Sequence, residues 1–157
     1  MKPVLLDTGC IVALLDRSER QHEPCVEIVT QLSAPLVTCE AVIAESCYLL
    51  RSVDRAAAAV LDNVDAGVFR LPSVDRAAAA VLDNVDAGVF RLPFRLEASG
   101  AAVKRLLYRY RNVPMDLADG CLVQMADELE TEEILTLDSD FEVYRWRRNR
   151  RFRNLLS

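Results

Sequence analysis

Apolar and polar positions along the chain fall into two recurring patterns, short apolar runs and longer stretches with helical spacing. Val4-Leu5-Leu6 is an apolar run that stops at Asp7, which predicts a buried strand, and Thr8–Leu15 is then expected to be helical. Gln21–Leu32 places Val26, Ile28, Val29 and Leu32 on the apolar positions of a second helix. Leu36-Val37-Thr38, after Pro35, reads as a second strand and Ala41–Arg51 as a third helix. Glu97–Arg111 is expected to be helical, with Ala101, Ala102, Leu106 and Tyr110 toward the core. Asp116–Leu129 predicts another helix, with Leu117, Cys121, Val123, Met125 and Leu129 mostly buried. Ile134-Leu135-Thr136-Leu137 reads as a strand ending at Asp138. Strands alternating with helices predict a parallel sheet joined by right-handed crossovers, hence an α/β fold.

One segment departs from this rhythm. SVDRAAAAVLDNVDAGVFRLP occupies Ser52–Pro72 and recurs without a difference at Ser73–Pro93. Solenoid repeats need more copies than two and diverge in sequence, so an identical abutting pair indicates a very recent or deliberate tandem duplication. Removing one copy leaves 136 residues. Each copy reads as a helix and then a short strand. In the first, Val60, Leu61 and Val64 suit the helix, Gly67 its C-terminal cap and Val68-Phe69-Arg70-Leu71 the strand. A normal fold has room for one copy. The other is expected to bulge from the surface, because a long insertion adds little closure entropy. The alternatives are a strand added to the sheet edge or an exchange between chains.

The length of 157 residues suits a single domain spanning 1–157, and 52% hydrophobic with 27% charged residues is a globular balance. No apolar run approaches the ~20 residues of a membrane helix. Pro3 and Asp7 interrupt the N-terminal apolar stretch, which argues against a signal peptide, so a soluble, cytoplasmic protein is expected. Five cysteines (Cys10, Cys25, Cys39, Cys47 and Cys121) without a C-x-x-C spacing predict buried free thiols rather than zinc or disulfides. His22, the one histidine, lies in a polar stretch and is expected to be solvated. Metal chemistry must then rest on oxygen ligands, which favour hard cations such as Mg²⁺ or Mn²⁺.

Carboxylates are the remaining candidates. Asp7 and Asp138 each end a predicted strand, and open parallel sheets place their sites there. Taken singly, Asp7 can cap the next helix and Asp138 can start a turn. Glu45 sits in the apolar helix AVIAESCYLL, either on an exposed stripe or near the core, where its charge needs a partner. Asp116 and Asp119 lie three apart at a helix start, on one face, and also fit a capping box. Together Asp7, Glu45, Asp119 and Asp138, with Asp116 and Asp140 nearby, would meet at one end of the sheet. Such crowding is tolerable with a divalent ion among the charges, and the use of such an ion is phosphate chemistry.

VLLDTG, AVIAES, PMDLADGCLVQMADEL and ILTLDSDFEVYR, in this order, resemble the PIN-domain family. The resemblance implies a three-layer α-β-α fold, a parallel central sheet flanked by helices, here with a duplicated helix–strand unit. It implies a Mg²⁺- or Mn²⁺-dependent endoribonuclease, similar to VapC-type toxins that form homodimers and are neutralised by a cognate antitoxin. On that likeness Asp7, Glu45, Asp119 and Asp138 would be the catalytic quartet and Asp116 a further metal carboxylate. Thr8, Thr136 and Asp140 would support them. Gly120 stands where such motifs usually carry alanine.

The acids and bases are unevenly spread: residues 1–144 hold 13 Lys/Arg against 24 Asp/Glu, whereas 145–157 hold six arginines and no acid. Arg147, Arg148, Arg150 and Arg151 are candidate RNA-phosphate contacts, and Trp146 and Phe152 candidate stacking platforms. The other reading is a final strand or solvated tail. A phosphoaspartate receiver would need a lysine after a late strand, but Lys2 and Lys104 are the only lysines. A haloacid-dehalogenase-type phosphatase needs Asp-x-Asp after the first strand, where Thr8-Gly9 follows Asp7. The rival from another class is a PIN-like binding or dimerisation module that does not cleave.

Overall fold

The first strand, β1 (Val4–Leu6), carries three fully buried side chains, as a strand covered on both faces must. The structure, a computed structural model, describes residues 1–53 and 77–156. After β1 come α1 (Thr8–Leu15), α2 (His22–Gln31), β2 (Leu36–Val37) and α3 (Glu40–Leu49), which runs into a 3-10 turn, Leu50–Ser52. The chain continues with α4 (Ala77–Asp86), β3 (Phe90–Arg91), α5 (Leu96–Arg109) and α6 (Leu117–Leu129). It ends with β4 (Glu133–Leu135), a second 3-10 turn (Ser139–Glu142) and β5 (Arg153–Asn154). The expected architecture is present: among the described residues, a five-stranded parallel sheet between flanking helices.

Strand order is β3-β2-β1-β4-β5, every pairing parallel, with Val4 opposite Leu36 and Leu5 opposite Ile134. From β1 the chain steps outward through β2 to β3, then returns to the other side of β1. That reversal opens a crevice between β1 and β4 at the carboxyl ends of the strands, the usual location of a site in an open α/β sheet.

The second repeat copy supplies α4 and β3, the outermost described strand, beside β2. Its helix ends where the sequence predicts: Gly88 has φ +74° and donates its amide to the Val85 carbonyl, a left-handed turn that glycine adopts without strain. The elements expected of the first copy, and the fate of a surplus unit, lie outside the described residues.

Several side chains sit elsewhere than their spacing suggests. Ala101 is exposed, and α5 instead turns Val103 and Tyr110 inward. Leu117 is also exposed, because it belongs to the first turn of α6, which projects beyond the packed face. His22 is buried rather than solvated: its Nδ1 lies 2.8 Å from the Ala13 carbonyl, so α2 is pinned to α1. Gly120 has a packing role here, since a Cβ there would meet Val103 Cγ1 at 3.1 Å where α5 and α6 approach. All five cysteines are free thiols, four of them buried and Cys47 half-buried. Among the described residues no helix is long and apolar enough to cross a membrane.

Candidate functional site

The crevice is built from the ends of β1 and β4 and the starts of α1 and α6. Asp7 leaves β1 in an extended conformation and caps α1, its Oδ1 accepting the Thr8 amide at 2.7 Å. Its Oδ2 accepts the Thr136 hydroxyl at 2.6 Å. Thr8, one residue on, donates its own hydroxyl to Glu45 Oε2 at 2.6 Å, which ties α1 to α3. Thr136 Oγ1 in turn accepts the Asp138 amide at 2.9 Å, and Asp138 Oδ1 accepts the Asp140 amide at 2.8 Å. The two threonines therefore fix three acids that lie far apart in sequence.

Asp116 and Asp119 form a reciprocal capping box on α6: Asp116 Oδ1 accepts the Asp119 amide at 2.9 Å, and Asp119 Oδ2 accepts the Asp116 amide at 3.3 Å. Asp119 Oδ2 also accepts the Tyr144 hydroxyl at 3.2 Å. Capping and clustering thus coexist. The helix-end bonds that each aspartate makes are what hold its carboxylate toward the crevice.

Asp7 and Asp119 are buried at the floor, Glu45 is half-buried, and Asp116 and Asp138 stand exposed at the rim. Burial pushes the Asp7 carboxyl from 3.8 to about 6, against the lowering bonds from Thr136 and Thr8, with the charges of Asp138 and Glu45 raising it further. Burial likewise raises Asp119 to about 7, followed by the charges of Asp116, Asp7 and Asp138. These mutual repulsions place all five acids in one electrostatic site. Burial and the Asp119 charge also push the Tyr144 phenol well up, keeping its proton available for that bond. Among the described residues no Lys, Arg or His forms an ion pair with any of the five. The acids converge without closing: among the described residues no three His, Cys, Asp or Glu side chains already surround one ion position.

Replacing Thr136, 1% exposed, by valine tests this scaffold. The change leaves Asp7 Oδ2 and the Asp138 amide without their shared partner. It is expected to destabilise by about 2–4 kcal/mol, read as a lower urea midpoint at unchanged slope. Thr136→Ser, which keeps the hydroxyl, is expected to recover most of that loss.

The arginine-rich end lies apart from these acids. Arg147 forms an ion pair with Glu130, and its amide donates to Asp127, toward the far end of α6 from Asp119. At 1.5 Å rise per residue that is about 12 Å along the helix. Arg148, Arg150 and Arg151 are exposed. Trp146 is 1% exposed, with its Nε1 donating to the Arg151 carbonyl, so it is a core residue rather than an open stacking platform. Arg153 and Asn154 form the edge strand β5, and Asn154 Nδ2 donates to the Thr136 carbonyl behind the site.

Two contributors escaped the sequence reading, Tyr144 and Asn154. Phe141 and Tyr144, three apart after Asp138, were a signal that a helical turn carries aromatic groups back over the site. Their rings meet edge-on at 5.3 Å. Asn154 gave no signal, since a single amide beside a run of arginines carries no pattern.

A search of curated protein sequences finds no match. Among solved structures the chain is similar to VapC20 of Mycobacterium tuberculosis, described as a sarcin–ricin loop cleaving toxin. The TM-score is 0.70 at 16% identity, covering 89% of this chain and 93% of that one. At that identity the likeness is one of fold. Residues 4–147 match the PIN domain over well more than half of the chain, on the same strands and helices that carry the five acids, and the chain belongs to the PIN-domain family.

Proposed function

We propose that the protein is a Mg²⁺- or Mn²⁺-dependent endoribonuclease, the toxin of a toxin–antitoxin pair, with Asp7, Glu45, Asp119 and Asp138 as its catalytic carboxylates. The observation that carries this reading is the crowding of five acids with, among the described residues, no cationic side chain paired to them, two of them buried and pushed toward neutrality. A natural protein keeps such a cluster when a cation offsets the repulsion. The donor set fits a hard divalent ion, because it offers carboxylate oxygens alone and Mg²⁺ favours a few carboxylates supplemented by water. Asp7 and Asp119 would hold the ion from the floor. Glu45, Asp116 and Asp138 would complete the carboxylate set around it. When bound, the ion activates a water and offsets charge on the phosphoryl oxygens.

The chain's own groups supply position. Thr136 holds Asp7, Thr8 holds Glu45, and Tyr144 holds Asp119, so each of these three carboxylates keeps one orientation. Asp140 supports Asp138 through its backbone amide. RNA is the substrate this site suits, and the exposed Arg148, Arg150 and Arg151 would contact its phosphates away from the cut, with Arg147 held back by Glu130. A homodimer is supported by the exposed apolar Tyr48 and Leu49 on α3 and Leu82 on α4, which packs against α3. Five free thiols suit the reducing cytoplasm. The cognate antitoxin would be the second protein partner.

The test is incubation of structured RNA with the protein in Mg²⁺, in Mn²⁺ and in EDTA. Cleavage is expected with either ion and none with EDTA. Protein that retains RNA on a filter but leaves it intact in both metals would instead be the non-cleaving binding module.

A further inference from the structure

Next to the acids, at the end of β4, lies a cavity of about 270 Å³ whose lining includes Thr136, Asp138, Ser139, Phe141, Glu142 and Phe152. Phe141 and Phe152 form its apolar wall, their rings edge-on with centroids 5.4 Å apart. Phe141 is buried and Phe152 half-buried, so the wall is firm yet reachable. Glu142 and Ser139 are exposed at the mouth. Among the described residues the Glu142 carboxylate and the Ser139 hydroxyl have no hydrogen-bond partner, while the Glu142 backbone carbonyl accepts from Arg145.

We propose that this cavity takes one nucleobase of the RNA beside the bond that is cut, and that it selects guanine. The proposal rests on the ribonuclease reading. Thr136 and Asp138 belong both to the cavity and to the acid cluster, so an occupant lies next to any phosphate held there. The volume is below the ~300–1,000 Å³ of pockets for drug-sized ligands, on the scale of a single base. Aromatic walls are how proteins hold unstacked bases, since every base offers a π-face. Asp138 and Glu142 at the opening repel a bare phosphate, so the base rather than the backbone enters. Guanine alone presents two adjacent donors, N1–H and the N2 amino group, to a carboxylate that accepts a fork of parallel bonds. Uracil would turn carbonyl oxygens toward the same carboxylate, and adenine or cytosine only one donor.

Two measurements test this. A randomised single-stranded RNA library is cut in Mg²⁺ by the wild type and by Glu142→Gln, and the ends are sequenced. Separately, each of the four nucleosides is titrated while the Phe141 and Phe152 ring resonances are followed by NMR. Guanine is expected at one position flanking the cut. Glu142→Gln should lower that enrichment about tenfold, in line with ~1–3 kcal/mol for a bidentate contact. Guanosine should shift both rings at concentrations at least about tenfold below those needed for the other nucleosides. Cleavage with no guanine preference, or with one that Glu142→Gln leaves intact, overturns the base pocket while the nuclease reading stands. Ring shifts by guanosine without any cleavage uphold the pocket while the nuclease reading falls. Rings that respond to argininamide and to no nucleoside assign the cavity to a protein partner and overturn the proposal.

Discussion

Asp7→Asn is expected to abolish metal-dependent RNA cleavage while making the metal-free protein more stable. The loss should exceed the ~10–100-fold typical of removing an outer partner of a metal ligand, since Asp7 is proposed to touch the ion itself. The gain in stability follows from burial. A carboxyl raised from 3.8 to about 6 is destabilising when ionised, by about 3 kcal/mol at 1.36 kcal/mol per unit. Asparagine removes that charge yet keeps an oxygen for the Thr8 amide, and its amide group can donate to the Thr136 hydroxyl. We therefore expect a gain of about 1–3 kcal/mol at pH 8 in EDTA, measured by thermal unfolding, with an unchanged circular dichroism spectrum. Wild-type cleavage by this variant would remove Asp7 from the mechanism.

The second large effect is a pH-dependent response to the cation. Asp7 and Asp119 hold their protons up to about 6 and about 7 when folded, and release them near 3.8 when unfolded. Between those values the folded state binds more protons than the unfolded one, so metal-free stability falls as pH rises. The fall begins near pH 4 and levels off above pH 7. Its size is on the order of 3–5 kcal/mol for the pair, less than the simple total because the Asp7 charge is itself part of what raises Asp119. A divalent ion competes with those protons. Saturating Mg²⁺ at pH 8, about 100 times its Kd, should stabilise by about 2.7 kcal/mol, which is roughly 5–10 °C in Tm for a chain of this size. At pH 5 the same addition should have little effect, because protons already neutralise the floor. An equal shift at both pH values, or none at pH 8, would mean that the acids do not form the metal centre.

The duplicated segment bears on both experiments only indirectly. The second copy provides α4 and β3, which is separated from β4 by β2 and β1 in the sheet, and none of the five acids comes from it. The site is accordingly built from elements on either side of the repeat.

Much of this arrangement was legible along the chain. Val4-Leu5-Leu6 followed by Asp7 announced a buried strand with an acid at its end, because a strand covered on both faces must be continuously apolar. Asp116 and Asp119 announced a capped helix through their spacing, and Gly88 its left-handed turn. A single histidine and cysteines without a C-x-x-C spacing pointed to oxygen ligands for any metal chemistry. Other features had no local cause. His22 lies in a polar stretch but is buried because the Ala13 carbonyl at the end of α1 needs a donor, and the sequence does not say where α1 ends in space. Trp146 reads as an accessible aromatic among arginines, yet the chain folds it inward beneath Arg147 and Arg150.

Periodicity, which reports whether neighbours share a face, thus determined the strands and helices and the types of group available for chemistry. Contact between distant segments was decided only in three dimensions, by the strand order that sets β4 beside β1 and so brings Thr136 to Asp7 across 129 positions of sequence. Hydrogen bonds of that range, like the burial and then the repulsion that raise Asp7 and Asp119, depend on distances through space that no spacing along the chain encodes.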